Sequence, residues 1–389
     1  MKVDRRDFLR LAALAPIGLS GMGRLALAAA SPATRKLVIL VELRGGNDGL
    51  NTVVPFADPL YARFRPRLAL DRERLVDLDT CVGLHPSLEK LGDIWFTGEL
   101  AVVQGVGYPQ ANLSHFRSIE IWNTASASSE YLDAGWLGRA FARFPSPSQY
   151  AADGVVVGPG GMGPLAGGGR SIALNEPQQF VKNAHLARDS AQPRNAGLAR
   201  ILQVERNVAV AAQRLDGGAA VTTEFPTTPF GRSAQVAAQL AAKDAGIAVV
   251  RVSLDGFDTH ANQPAVHAAL LRQLSDGLAA LRSALIDLGR WQSTVVATYS
   301  EFGRRPRENQ SSGTDHGTAS NHFVLGGAVK GGLYGDHPAL DRLDANGNLA
   351  FALDFRAYYA TFLERWWGMD SEAVLGRRYA TLDFIPKLA

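Results

Sequence analysis

Four stretches of the chain are almost unbrokenly apolar and of strand length: residues 36–43 (KLVILVEL), 100–106, 247–254 (IAVVRVSL) and 294–299 (TVVATY). Rich in β-branched residues and without polar alternation, they read as strands covered on both faces of a sheet. A fifth apolar run, 323–325, closes the polar loop that follows 294–299. Between these runs the period becomes helical. A short helix begins within 85–91, another covers about 116–123 behind Ser114, and a long amphipathic helix covers about 264–289. That helix joins the strands at 247–254 and 294–299 in a right-handed parallel crossover. A last helix, 354–367, is expected to pack Trp366 and Trp367 on the sheet face. The loop over 54–79 is basic and shows no pattern.

Residues 125–245 are the least legible, and read as an insertion or cap over the sheet edge. They contain a Gly/Pro-rich loop at 158–169 and a long helix over about 183–215. The loop has neither the G-x-G-x-x-G spacing nor the Lys-Ser/Thr of a P-loop, so it reads as a connection rather than a phosphate cradle.

In an open parallel sheet the loops after the strands share one edge, so the polar groups leaving each apolar run belong together. Asn47 and Asp48 follow the first run, where Gly45, Gly46 and Gly49 permit a tight path. Ser114 and His115 follow the second, Asp255, Asp258 and His260 the third, and Glu301 and Arg304 the fourth, with His316 farther along. Of eight histidines, four (His115, His260, His316 and His322) lie in these segments. Carboxylates mixed with imidazoles suit a divalent cation, zinc or manganese, as one or two ions. Singly, each has a plain structural reading: Asp48 as a turn residue, Ser114 as a helix cap, Asp258 and His260 as a pair. Their joint placement after successive strands makes them a candidate site. Asp258 is favoured over Asp255, because it shares the D-T-H turn with His260. His316 precedes its strand, and a parallel strand there would carry it to the far edge, roughly 17–20 Å away. The run 321–326 is therefore expected to be antiparallel.

The first thirty residues stand apart. Arg5 and Arg6, an uncharged stretch from 11 to 23 and an alanine-rich end describe a twin-arginine export leader, with the remaining domain at 31–389. The uncharged stretch is too short for a membrane anchor and is broken by Pro16 and several glycines. Of 40 basic and 37 acidic residues, five basic and two acidic ones lie in 1–30, which leaves 35 of each. A balanced remainder gives no reason to expect nucleic acid. Cys81 is the only cysteine, so no internal disulfide forms.

The twin-arginine start, ELRGGNDGLN, NLSHF, DGFDTHANQ, YSEFGRRPREN and DHGTASNHFVLGG together resemble the DUF1501 family of exported bacterial proteins. That family looks like a divergent branch of the alkaline phosphatase and sulfatase superfamily. The resemblance implies an α/β fold with a mixed, mostly parallel sheet flanked by helices, two divalent metals and a Ser/Thr or modified Cys nucleophile. Carried onto this chain, Asp48 matches the first-strand metal carboxylate and Ser114 the nucleophile at a helix start. Asp255 or Asp258 with His260 resembles a metal pair, Glu301 falls at an Asp-His dipeptide, and His316 matches the last metal histidine. Phe302 stands where that dipeptide has its histidine, so a second metal site is weak, completed by His115, or absent.

The expected protein is a periplasmic metal-dependent hydrolase of phosphate or sulfate esters, on a small anionic ester or a polymer-linked one. Ser114 and His115 are its catalytic residues, with Arg304 and Arg117 clamping the anion. The metal ligands come from Asp48, Asp255, Asp258, His260, Glu301 and His316. The alternative is a non-catalytic protein that keeps the fold for metal or partner binding. A metal-free Ser-His-Asp hydrolase is disfavoured, because no G-x-S-x-G elbow occurs.

Overall fold

The computed structural model of the 389-residue chain describes residues 35–168, 170–174, 220–242 and 246–387. The expected leader and the helix expected over 183–215 lie outside the described residues. In chain order the described strands are β1 (Leu37–Arg44), β2 (Val53–Val54), β3 (Val76–Asp77), β4 (Gly83–Leu84), β5 (Leu100–Gly107), β6 (Ala152–Val157) and β7 (Ser171–Leu174). They continue as β8 (Ile247–Asp255), β9 (Thr294–Tyr299), β10 (Gly303–Glu308), β11 (Thr314–Gly317), β12 (Ser320–Leu325), β13 (Gly332–Tyr334) and β14 (Leu353–Asp354).

The central sheet has the order β13-β5-β12-β9-β1-β8-β6-β7, with β14 also on β5. β1 is parallel to both β8 and β9, and β6 is parallel to β7 and β8. β12 runs antiparallel to both of its neighbours, β5 and β9. The sheet is therefore mixed and mostly parallel. β6 and β7 come from the stretch 125–245 and extend the parallel side of the sheet. In the patternless loop 54–79, Asp58 caps a helix at Pro59–Phe64 by accepting from the Leu60 amide.

Strand side chains alternate between two cores. Leu37, Ile39, Val41 and Leu43 enter one, and Val38 and Leu40 enter the other. The first core is covered by the helix Gln263–Asp287, through Leu271, Leu274, Leu278 and Leu285, and by Pro229–Ala242. Gly289, at φ +64°, stops the long helix. The second core is covered by His115–Thr124, Trp136–Arg143 and Phe355–Thr361, whose Tyr358 and Tyr359 are fully buried. Trp366 packs on this face, while Trp367 is only half-buried. Glu42, a charge inside β1, is offset by Arg251 of β8, which also donates to the Tyr299 hydroxyl at 2.9 Å. No described helix is long and apolar enough to cross a membrane.

His322, one of the four histidines expected near the site, belongs to β12 and is fully buried. Its ring lies between Trp122 and Tyr358, and neither nitrogen has a hydrogen-bond partner. Burial pushes its pKa from 6.5 down to about 3. Such a group binds fewer protons folded than unfolded, so its stabilising effect is complete above 6.5 and is lost as pH falls towards 3. We expect denaturant stability to drop between about pH 7.5 and about pH 5, and His322→Phe to recover about 2 kcal/mol of that drop. Identical pH profiles for the two proteins would show that His322 is not the titrating group.

Candidate metal centre

The loops leaving β1, β8 and β9 meet around Arg304, at the start of β10. Its guanidinium is fully buried; Nε donates to Gly46 O at 2.8 Å and Nη1 to Thr314 O at 2.8 Å. Nη2 donates to Gly45 O, to Phe257 O at 3.0 Å and to Asp258 Oδ1 at 2.7 Å. A cation withdrawn from water needs such acceptors. Arg304 therefore binds the loops to one another and is not presented to an anion, which corrects the expected clamp. The packing leaves room only for glycine on the β1 loop. A Cβ on Gly45 (φ +114°) would lie 2.4 Å from Asp258 N, and one on Gly46 (φ +81°) 2.3 Å from Phe302 Cε2.

Asp258, which Arg304 holds, is the centre of the cluster. His260 Nε2 lies 3.1 Å from its Oδ1, His316 Nε2 3.2 Å from the same oxygen, and His115 Nε2 3.4 Å from Oδ2. His260 Nε2 and His316 Nε2 are 2.9 Å apart. Ligands bonded at 2.0–2.1 Å to one ion stand roughly 3.0–3.4 Å from each other, so this spacing is that of a coordination sphere. Ligand atoms of His115, Asp258 and His316 all lie within 4.8 Å of one another. These three can coordinate a divalent metal.

The other face of each imidazole explains the convergence. His316 Nδ1 lies 2.8 Å from Leu113 O, an acceptor only, so that nitrogen carries the proton. His115 Nδ1 lies 3.0 Å from Glu301 Oε1, and His260 Nδ1 3.5 Å from Asp315 Oδ1. A neutral imidazole that donates through Nδ1 keeps its lone pair on Nε2, and acceptors in that position are the usual support of metal histidines. Burial lowers the His316 pKa, against the upward pull of Leu113 O and Asp258. Burial pushes Asp258 up, but Arg304 and His316 outweigh it and hold the carboxyl at about 2. Lone pairs and an ionised carboxylate facing one another are satisfied by a cation; the residues fit one. Phe302 walls the centre, its buried ring 4.4 Å from that of His316 and 4.9 Å from that of His115.

His316 reaches this edge twice over: the β10–β11 hairpin pairs it with Arg304, and β12 then leaves antiparallel. The remaining expected ligands take other positions. Asp48 is fully buried in a two-bonded ion pair with Arg65, at 2.6 and 2.9 Å. Burial raises its pKa, but Arg65 outweighs that and holds it low. Gln263 also donates to it, so Asp48 has no free face for a metal. Asp255 is exposed and paired with Arg44 at 3.0 Å. Glu301 is buried and accepts the Gly45 amide at 2.8 Å besides meeting His115, so it supports a ligand instead of being one.

Ser114 is exposed at the N-cap of His115–Thr124, and its side chain makes no capping bond. Arg117 is turned away, donating to the carbonyls of Ala127, Ser128 and Glu130. The roles of Arg65, Gln263, Asp315 and the Leu113 carbonyl carry no sequence signal, because each depends on a partner distant in the chain.

We expect metal titration to give one tight divalent ion per chain. Asp258→Asn and His316→Ala should abolish it, and Asp255→Asn should leave it unchanged. Glu301→Gln should weaken it about 10–100-fold through His115; unchanged affinity there would show that Glu301 does not support the ligand.

No curated protein matches the sequence significantly. Similar solved structures include Ps i-CgsB in complex with k-i-k-neocarrahexaose, at 8% identity and TM-score 0.41 over 90% of this chain and 75% of that one. A protein in the alkaline phosphatase superfamily from Vibrio parahaemolyticus gives 10% identity and TM-score 0.40 over 88% and 69%. Alkaline phosphatase from the Antarctic bacterium TAB5 gives 10% identity and TM-score 0.35 over 77% and 94%. Residues 95–377, well over half of the chain and including every residue of the cluster, match the family described as "Protein of unknown function (DUF1501)", and the chain belongs to that family.

Proposed function

We propose that this chain is an exported, metal-dependent hydrolase of phosphate or sulfate esters, with Ser114 as its nucleophile. The observation that carries the reading is the convergence of three Nε2 atoms on Asp258; Ser114, the residue before His115, is exposed and its side chain makes no capping bond. The nitrogen-rich donor set favours zinc over manganese. A divalent ion bound there supplies Lewis acidity and lowers the pKa of a neighbouring hydroxyl or water.

The protein's own groups do the rest. His115 and His316 offer Nε2 because Glu301 and the Leu113 carbonyl accept at Nδ1, and Asp315 stands 3.5 Å from Nδ1 of His260. Ser114 is the N-cap of a ten-residue helix whose first amides have no acceptor within the helix and would be available to an anion's oxygens. They take the place that the buried Arg304 cannot fill. The Phe302 ring excludes water from one side. Residues 1–30 would direct the protein out of the cytoplasm by the twin-arginine route.

A second reading, a non-catalytic metal-binding protein, is favoured by Phe302 and by the Asp48–Arg65 pair, which together remove two donors from a second ion. Turnover of aryl phosphates and aryl sulfates by metal-loaded protein separates the two; absence of both activities with the ion bound would support the second. Ser114→Ala should lower turnover by at least about 10³-fold and keep the parent's metal content. Retained turnover would exclude Ser114 as nucleophile. Exchanging Arg5 and Arg6 together for lysine should retain precursor in the cytoplasm, and normal export of that variant would exclude the twin-arginine route.

A further inference from the structure

At the opposite edge of the sheet from the metal centre lies a cavity of about 490 Å³, lined by Lys36, Phe141, Arg143, Phe144, Trp367 and Met369, among others. Lys36 immediately precedes β1, and Ala248, also in the lining, lies at the start of β8. The metal centre follows the other ends of these strands. The length of β1 puts roughly 25 Å between the two places. A small molecule held in this cavity is therefore out of reach of the metal ligands.

The local sequence builds apolar walls. The helix Trp136–Arg143 gives way to Phe144, and Pro145 and Pro147 cannot continue it. Gly368, at φ +71°, ends the turn Phe362–Trp367. The Phe141 and Trp367 rings meet edge to face, with centroids 5.8 Å apart. The Ser146 hydroxyl, also in the lining, is already taken by Asp153 and Arg170. What the walls offer a ligand is mostly ring and hydrocarbon surface.

The charges beside those walls have one sign. Two cations line the cavity and no carboxylate does. Lys36 donates to the Trp366 carbonyl and stands 5.2 Å from the centre of the Trp366 ring. Burial lowers its pKa, and no acidic neighbour pulls it back. Arg143 is exposed and, among the described residues, makes no hydrogen bond or ion pair. Arg35 and Arg290 add positive charge near Tyr150, another lining residue, where they oppose the upward effect of burial on its pKa. An apolar cavity with cations at its side and no counterion is complementary to a hydrophobic anion. We infer that the cavity binds one single-chain amphiphile with an anionic head, an alkyl carboxylate. Its tail lies on Phe141, Phe144, Trp367 and Met369, and its head meets Lys36 and Arg143. A membrane surface matches less well, because none of the strongly exposed apolar side chains, such as Phe96 and Phe116, belongs to the lining.

The test titrates the full-length protein calorimetrically with hexanoate, octanoate and decanoate, all below micelle-forming concentrations. Separate arms use octyl glucoside, octyltrimethylammonium and vesicles of anionic phospholipid. One equivalent of carboxylate should bind saturably, about fourfold more tightly per added methylene until the cavity is filled. The neutral and cationic amphiphiles should bind at least about tenfold more weakly, for want of a charge-assisted contact. Arg143→Gln should weaken carboxylate binding about tenfold. Since Arg143 is exposed and unpaired, that variant should keep the parent's thermal midpoint. Trp367→Ala should reduce the gain per methylene. Absence of saturable binding, equal binding by Arg143→Gln, equal binding of the uncharged or cationic head, or binding confined to vesicles would overturn the inference.

Discussion

A guanidinium cut off from water must find acceptors inside the protein, and Arg304 finds them in three loops at once. Gly45 and Gly46 come from the exit of β1, Phe257 and Asp258 from the exit of β8, and Thr314 from the β10–β11 hairpin. Each of those carbonyls is a buried group that would cost about 1–3 kcal/mol if left unpaired. The arrangement is therefore cooperative: the loops satisfy the cation, and the cation satisfies the loops. Asp258 is held with its carboxylate among three imidazoles as part of the same bargain. Without this knot, the parallel strands would still deliver their loops to one edge, but Asp258 would lose the donor that holds it there.

Four acidic residues that look alike along the chain have four different tasks, decided by their surroundings. Asp48 is sealed with Arg65, a pair whose disruption would leave an uncompensated buried charge. Glu301 is also buried but meets a backbone amide and an imidazole, so it orients His115. Asp255 stays on the surface opposite Arg44, where an ion pair contributes little. Asp258 alone combines partial exposure with converging nitrogens. The division follows the rule that a carboxylate's role depends on how much water it keeps and which donors replace the rest.

Phe302 gives the centre its asymmetry. Its apolar ring packs against two of the three histidines of the cluster, His115 and His316. Its bulk restricts how far those rings can tilt, while the acceptors behind Nδ1 fix their rotation. Among the described residues, His115, Asp258 and His316 form the group that can coordinate a divalent ion. The same packing explains why Gly46 cannot carry a side chain, since the Phe302 ring occupies the space.

The apolar runs were sufficient to locate β1, β5, β8 and β9, because strands buried on both faces leave a continuous signal that needs no knowledge of partners. The direction of β12 was equally legible, since a histidine placed before its strand reaches the common edge only if that strand is reversed. β6 and β7 were not: Ala152–Val157 and Ser171–Leu174 are short and flanked by glycine, and their burial depends on β8 lying beside them. Sequence also placed Ser114, His115, Asp258, His260 and His316 in loops of one edge and preferred Asp258 to Asp255, but could not rank them against Asp48 and Glu301. That ranking rests on contacts between residues 17 to 203 apart along the chain. Arg65 on Asp48, Leu113 O on His316 and Trp122 against His322 exist only once the chain has closed. Local periodicity reports what a segment buries; only tertiary packing decides which donor replaces the water that each polar group gives up.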